Sequence, residues 1–405
     1  MLSYDYTNNL LNLQGVNVIK IEQFKKDTLI YTNIPIKPHI CPCCSHTTSS
    51  VHDYRIRKIK DISAFGKHVT LIHNHRRYVC KNCGKRFAED NSFAPKYYRV
   101  TLRLSNEIFK KTESERSFTS IAKEVNLSVS TVIRFFDMLS YDAPKQLPQV
   151  LSIDEFKGNT GKEKYQVIIT NPDDGTVLDI LPDRKQIHLI SYFKKWNRDE
   201  RSAVKFFISD MWKPYAELSE IYLKEATRLV DKYHYVRQVI WAFERVRKKI
   251  QKKYGKENRL LFKHSKKILT MRRNKLNSEQ LEKVEYLLYF NDNLRRAYYL
   301  KELFYEILDC DDRNKGKELL SEWILTAQNS RLKDYHDCAI TLQNWSKSIF
   351  NTFDYPYTNG FTEGCNNKIK VLKRNAYGYR NFNRFRKRIL HMFNYKKSNI
   401  GKAVA

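Results

Sequence analysis

Hydrophobic and polar positions change their period twice along the chain, and the changes divide it into three stretches. Near the start, apolar and polar residues alternate through Val16-Asn17-Val18-Ile19-Lys20-Ile21, Val69-Thr70-Leu71-Ile72-His73 and Arg76-Arg77-Tyr78-Val79, which predicts a β-rich unit. From about residue 101 to 139 the period becomes helical. Residues 141–148 then carry two prolines and no apolar period, so a linker is expected there. Beyond it strands alternate with helices. Val150-Leu151-Ser152-Ile153 reads as a buried strand. Residues 165–170 and 176–181 are joined by Asn171-Pro172-Asp173-Asp174-Gly175, which has the composition of a hairpin turn. A helix over 186–196, a strand over 204–209, a helix around 215–226 and a short strand over 227–230 follow. Residues 232 to about 350 are basic and helical in period. That order predicts a mixed α/β sheet carrying a helical insertion.

Charge alters this picture more than composition does. A chain of 405 residues suffices for two or three domains, and 41% hydrophobic residues suit a globular protein. Against 44 Asp and Glu stand 74 Lys and Arg, a net charge of +30. Such an excess points to a polyanionic partner, because each neutralised phosphate releases condensed counterions. Residues 1–10 have neither a basic nor an apolar signal region, and no apolar stretch is long enough to span a bilayer. An intracellular protein without a membrane partner is therefore expected. Of eight cysteines, five fall between Cys41 and Cys83, a clustering that favours metal over a disulfide framework.

Three groups of residues carry candidate chemistry. Cys41-Pro42-Cys43-Cys44 and Cys80-Lys81-Asn82-Cys83 each hold a C-x-x-C pair, so Cys41, Cys44, Cys80 and Cys83 are expected to bind a structural zinc ion in a tetrahedron. Cys43 is left out because adjacent side chains diverge, and Cys310, Cys338 and Cys365 read as ordinary thiols. Residues 118–134 fit a helix-turn-helix. Ala122 is small where helices would cross, Asn126 tolerates a left-handed turn, Ser128 can cap the second helix, and Ser130, Thr131 and Arg134 would face DNA. The third group is acidic. Asp154 and Asp210 close apolar runs and are expected at strand ends, while Glu363 should lie on a helix. Rigidly held carboxylates suit hard divalent cations in phosphodiester chemistry. Glu363, Asn366 or Asn367, Lys370 and Arg374 share one helical face, with Lys370 and Arg374 as the expected phosphate contacts. Asp231 and His234 are second-rank candidates, and Trp212 either stacks on a base or packs into the core.

Ser152-Ile153-Asp154-Glu155-Phe156, Ser209-Asp210-Met211-Trp212-Lys213-Pro214-Tyr215, Val230-Asp231-Lys232-Tyr233-His234 and Thr358-Asn359-Gly360-Phe361-Thr362-Glu363-Gly364-Cys365-Asn366-Asn367-Lys368-Ile369-Lys370 follow the cysteine and helix-turn-helix motifs in order. Together they resemble the ISL-three family of bacterial insertion-sequence transposases over nearly the whole chain. The resemblance implies a ribonuclease-H-like core whose Asp-Asp-Glu triad maps onto Asp154, Asp210 and Glu363. It also implies two Mg²⁺ ions, or Mn²⁺ in their place. Terminal inverted repeats and target DNA would be the substrates of a homo-oligomer formed on DNA, associated with the nucleoid in the bacterial cytoplasm. The expected fold is multidomain α+β: a β-rich zinc-binding module over 1–95, a helix-turn-helix over 96–140, and the catalytic core over 150–405 with a helical insertion at about 255–350. The expected function is strand cleavage and strand transfer by a DNA transposase. A non-catalytic zinc-containing helix-turn-helix regulator, and a nuclease or resolvase on the same core, are the alternatives.

Overall fold

The computed structural model describes residues 12–394 apart from 14, 143, 161 and 162, and only the backbone of 256–258. The first eleven residues, Ala143 of the expected linker and the last eleven residues of the expected core lie outside the described residues. Two compact units emerge, one comprising Met1–Tyr141 with Ile369–Ala405 and the other Asp142–Lys368. The division near residue 141 coincides with the expected linker.

In the first unit the strands are β1 (Asn17–Gln23), β2 (Asp27–Asn33), β3 (His39–Ile40), β4 (Thr47–Thr48), β5 (Val51–Ala64), β6 (Lys67–Val79) and β7 (Arg86–Ala88). The main sheet has the order β1-β2-β6-β5, with β7 also on β6, and β3 pairs β4. The two alternating segments around residues 69–73 and 76–79 are one continuous strand, paired with β5 along most of its length. Phe65 and Gly66, both at positive φ, turn β5 into β6. Alternation sends Val18, Ile30, Ile59, Val69 and Leu71 to one face, where they form a core with Phe93 and Ala94.

Three helices follow, Leu102–Lys111, Phe118–Glu124 and Val129–Asp137. Each starts at a hydroxyl cap, Thr101, Ser117 or Ser128, whose side chain accepts a backbone N–H of the first turn. Asn126 adopts the expected left-handed conformation (φ 52°), and the Leu127 N–H closes back onto the Ala122 carbonyl at 3.0 Å. Buried Asp61 of β5 ties the helices to the sheet by accepting from Thr101 Oγ1 and Arg103 Nε, both at 2.7 Å. The helix Phe382–Asn394 also belongs here. Its Arg388 donates to the Ser114 and Arg116 carbonyls at 2.8 Å, and Phe385, Ile389 and His391 are fully buried. The division at 150–405 put this helix in the core. Packing puts it with the helix-turn-helix, because its apolar face is completed by residues far upstream.

The second unit holds β8 (Val150–Lys157), β9 (Tyr165–Asn171), β10 (Thr176–Leu181), β11 (Phe206–Ser209) and β12 (Thr227–Val230), in the order β10-β9-β8-β11-β12. The first three strands are antiparallel, while β8, β11 and β12 run parallel. Helices Gln186–Phe193 and Lys213–Tyr222 contribute Leu189, Tyr192, Phe193, Tyr215 and Leu218 to a core with Leu151, Ile153, Val167 and Phe207 of the sheet. From Lys232 to Asp354 the chain is helical and builds its own core. That body begins earlier than residue 255, because Tyr235, Val239, Phe243, Val246 and Ile250 of the helix Lys232–Lys253 share it. Among the described residues no helix is long and apolar enough to cross a membrane.

Candidate active site

Strand register brings three aspartates to one level. Ile208 pairs with Ser152, so Asp210 stands beside Asp154; Ser209 pairs with Val230, so Asp231 stands on the other side of Asp210. Asp210 and Asp231 follow the last residues of their strands. Asp154 does not end its strand: antiparallel pairing with β9 continues β8 to Lys157, and only the parallel pairing with β11 stops before Asp154. All three therefore sit where parallel pairing gives out at the carboxyl edge of the sheet, the usual location of ligand crevices in such sheets.

The fourth carboxylate arrives from the helix Gly360–Asn375, with Glu363 exposed in its first turn. Buried hydroxyls fasten that helix to the middle of the sheet: Thr362 Oγ1 donates to Ser152 Oγ at 3.1 Å and lies 2.8 Å from Thr170 Oγ1, while Ser152 Oγ donates to Asn359 Oδ1. One turn beyond, Asn366 Nδ2 donates to Asp154 Oδ2 at 2.8 Å. Of the two candidate asparagines, Asn366 thus reaches the aspartate and Asn367 is exposed. Lys370 and Arg374 are exposed further along the same helix.

Electrostatically the group is under tension. Burial lifts Asp154 to about 6, and the charges of Glu155 and Glu363 add to the rise. Asp210 is pushed up to about 7 by burial and then by Glu155 and Asp154; Asp231 reaches about 6 through burial and Glu363. Backbone N–H groups hold two of them in place, Glu155 N on Asp154 Oδ1 at 2.7 Å and Trp212 N on Asp210 Oδ1 at 3.1 Å. Asp231 Oδ2 and Asn366 Oδ1 are buried without a hydrogen bond. His234 lies 3.6 Å from Asp231 Oδ2, and burial with the neighbouring Arg237 lowers its pKa to about 4, so at neutral pH it is uncharged.

Sequence reasoning assigned no role to Glu155, which is bound by Arg184 at 3.0 Å and by the Tyr215 hydroxyl at 3.3 Å. Its place next to Asp154 was a signal; its partners, 29 and 60 residues away, could not be read from spacing. Trp212 packs, with the Arg184 guanidinium 5.0 Å above its ring and Tyr215 edge-on at 4.8 Å.

Among the described residues two groups bring possible metal-ligating atoms within 4.8 Å of one another, and the acidic set is not one of them. One comprises Cys41, Cys44, Cys80 and Cys83, with Sγ atoms 3.6 Å apart for Cys41 and Cys83 and 3.5 Å for Cys44 and Cys80. These separations approach the edge of a tetrahedron with ~2.3 Å metal–sulfur bonds, roughly 3.8 Å. The two knuckles match: Ser45 and Gly84, each just past the second cysteine, take positive φ, and Ser45 N and Gly84 N bond back to the Cys41 and Cys80 carbonyls. Cys43 is exposed and points elsewhere, though its N–H donates to Cys41 Sγ at 3.4 Å.

The other group is His73, His75 and Glu89, all buried. Here the counter-charge is already present, since Arg76 donates its backbone N–H to Glu89 Oε1 at 2.9 Å and places Nη1 3.6 Å from Oε2. Burial raises Glu89, but His73, His75 and Arg76 outweigh it and hold its pKa at about 2. The cluster is a polar network fastening β6 to the segment after β7.

Comparison with known proteins decides the identity of the whole. Residues 151–389 match a family model described as transposase, 37–83 match the zinc-finger of transposases IS204, IS1001, IS1096 and IS1165, and 89–140 match the helix-turn-helix domain of transposase family ISL3. The chain belongs to transposase family ISL3. It is 26% identical over 394 residues to the transposase for insertion sequence element IS1001 of Bordetella parapertussis, covering 94% of this chain and 96% of that protein. It is 21% identical over 240 residues to the transposase for IS1557 of Mycobacterium tuberculosis, 54% of each chain. A 107-residue stretch is 36% identical to a Lactococcus lactis protein called an ATP-dependent protease, covering 33% of that protein. The ISL3 transposase thus combines a structural zinc site of four cysteines, a DNA-binding helix-turn-helix and a transposase domain built on a mixed five-stranded sheet, in that order.

Proposed function

We propose that this transposase recognises the terminal inverted repeats of its element through the zinc ribbon and helix-turn-helix, and that Asp154, Asp210 and Glu363 are its catalytic triad. The observation that carries the reading is the convergence of separately encoded carboxylates. Two strand-borne aspartates stand level in the sheet, and the helix bearing Glu363 is pinned to one of them by Asn366. The donor set fits divalent Mg²⁺ or Mn²⁺: hard oxygens, desolvated and mutually repelling, with unpartnered oxygens on Asp231 and Asn366 beside them. A pair of such ions supplies a nucleophilic oxygen at neutral pH and neutralises charge on the departing 3′ oxygen.

The chain's own groups do the positioning. Asn366 and the Glu155 N–H fix both oxygens of Asp154, the Trp212 N–H fixes Asp210, and Arg184 neutralises Glu155 so that it does not compete. In cleavage a water oxygen adds to phosphorus as the bond to the 3′ oxygen breaks. In strand transfer the freed 3′-hydroxyl attacks a target phosphodiester. Asp231 is a supporting carboxylate. Ser130 and Arg134 are exposed and Thr131 half-buried on the helix Val129–Asp137, in keeping with DNA contact; Lys370 and Arg374 are further phosphate contacts. Because two element ends must be joined, the acting species is a homo-oligomer assembled on DNA.

The test incubates wild type and Asp154→Ala with labelled terminal-repeat DNA and Mg²⁺, scoring binding and cleavage separately. Equal binding with cleavage by the wild type alone is expected. Cleavage that survives in Asp154→Ala would remove that residue from the triad.

A further inference from the structure

The sheet of the first unit has two unlike faces. Ile59 and Leu71 point into the core and are fully buried, whereas the alternate residues of β5 turn the other way: Ile56 is 70% exposed, and Lys58 is exposed beside it. Register continues this face across the sheet, pairing Lys58 with Ile72, which is buried, and the half-exposed Lys60 with Thr70 and Thr70 with Leu29 of β2, so the face is open along β5 and more covered toward β2. Lys60 Nζ donates to the Asn126 carbonyl in the turn of the helix-turn-helix, so the open face abuts the start of the recognition helix.

Between them runs a groove of about 810 Å³. One wall carries Ser128, Thr131 and Arg134, and the opposite wall and rim carry Lys58, Lys60, Arg99 and Tyr97, the last 86% exposed. Four of its lining residues are cationic and none is acidic. The clefts elsewhere around Glu220, around Glu285 and around Asp309 all mix carboxylates with their cations.

We infer that this open sheet face is the second wall of the DNA-binding cleft, with Lys58 and Arg99 gripping the phosphate backbone of the duplex that the recognition helix enters. Charge complementarity names the occupant, since an acid-free row of cations beside DNA-facing hydroxyls suits a polyphosphate chain. Lys60 acts here as a fastener, holding the turn at the right height over the sheet. The inference rests on the reading of the helix-turn-helix as the end-binding element, and the experiment separates the two.

Full-length wild type, the double variant Lys58→Gln/Arg99→Gln, its charge-retaining counterpart Lys58→Arg/Arg99→Lys, and Arg134→Ala are compared by fluorescence anisotropy. The probes are a duplex carrying the element's end and an unrelated duplex of equal length, each titrated across salt. Both substituted side chains are exposed, so thermal unfolding of the double variant should match wild type. The neutral double variant is expected to lose affinity for both duplexes by the same factor, and the slope of log affinity against log salt should fall by about 2. The charge-retaining variant should restore both. Arg134→Ala should weaken the element end more than the unrelated duplex. Unchanged affinity and slope in the neutral variant, with Arg134→Ala still defective, would overturn the sheet-wall inference and leave the helix-turn-helix reading standing. Wild-type binding by all variants would overturn both.

Discussion

Asn366 shows how much one side chain can decide. Its Nδ2 hydrogen bond orients Asp154, while its Oδ1 is buried without a hydrogen bond. Groups behind a ligand that fix its orientation commonly contribute a factor of about 10 to 100 in metal affinity. Asn366→Ala should therefore weaken Mn²⁺ binding by roughly that factor, read directly by electron paramagnetic resonance of the free ion, with end binding unchanged. His391 makes a second prediction. Its Nε2–H donates to the Phe109 carbonyl at 2.8 Å, its Nδ1 accepts from Tyr141, and burial lowers its pKa to about 4, with Arg388 nearby adding to the effect. The unfolded chain binds that proton more tightly, so stability rises with pH between about 4 and 6.5 and is lost as pH falls through this window. Up to roughly 3 kcal/mol is at stake. The melting temperature of wild type should drop between pH 7 and 5 by more than that of His391→Gln, and parallel curves would refute the assignment. Residues of this kind divide what was legible from what was not. Asp154 and Asp210 stood out because each closes an apolar run, and Glu363 because asparagines and cations follow it on one helical face. The partners of His391 and Glu155 lie 250 to 282 and 29 to 60 residues away, so no local pattern could announce them.

At the scale of elements, local chemistry was a good guide wherever a single residue dictates a backbone. The left-handed Asn126, the Ser128 cap and the Asn171 to Gly175 hairpin all occur where turn chemistry put them. Lengths were less legible. The strand β6 read as two pieces because Asn74 and His75 break the apolar alternation, and Asp154 read as a strand end because antiparallel extension beyond it carries charged residues. The zinc ribbon stands or falls as an element. Its two knuckles are joined through β5 and β6, and beyond the four sulfurs they share Asn82 Nδ2 donating to Cys44 Sγ at 3.6 Å and Thr48 Oγ1 donating to the Val79 carbonyl at 2.9 Å. Removing zinc should thus release the knuckle segments 41–48 and 80–85, while β5 and β6, held by the core of Ile59, Val69 and Leu71, and β8 to β12 keep their structure. Circular dichroism and amide exchange on chelator-treated protein check this, and loss of exchange protection in β8 would contradict it.

Over the whole molecule charge and connectivity dominate. With a net charge of +30, DNA binding should weaken by about a thousandfold or more between roughly 50 and 200 mM salt if six or more phosphates are neutralised. A flat salt titration would mean that the surplus charge lies away from DNA. Composition announced that behaviour, but it could not announce the discontinuity of the DNA-binding unit. The first 141 residues are completed by a helix encoded after the whole of the second unit, and Phe385, Arg388, Ile389 and His391 are buried in that completion. During synthesis, then, the ribosome releases the zinc ribbon and helix-turn-helix long before their missing partner. A nascent chain, or one truncated within the core, exposes an unfinished apolar seam instead of a mature DNA-binding surface. Whatever depends on the completed unit is thereby postponed until residues 142–368 have been made.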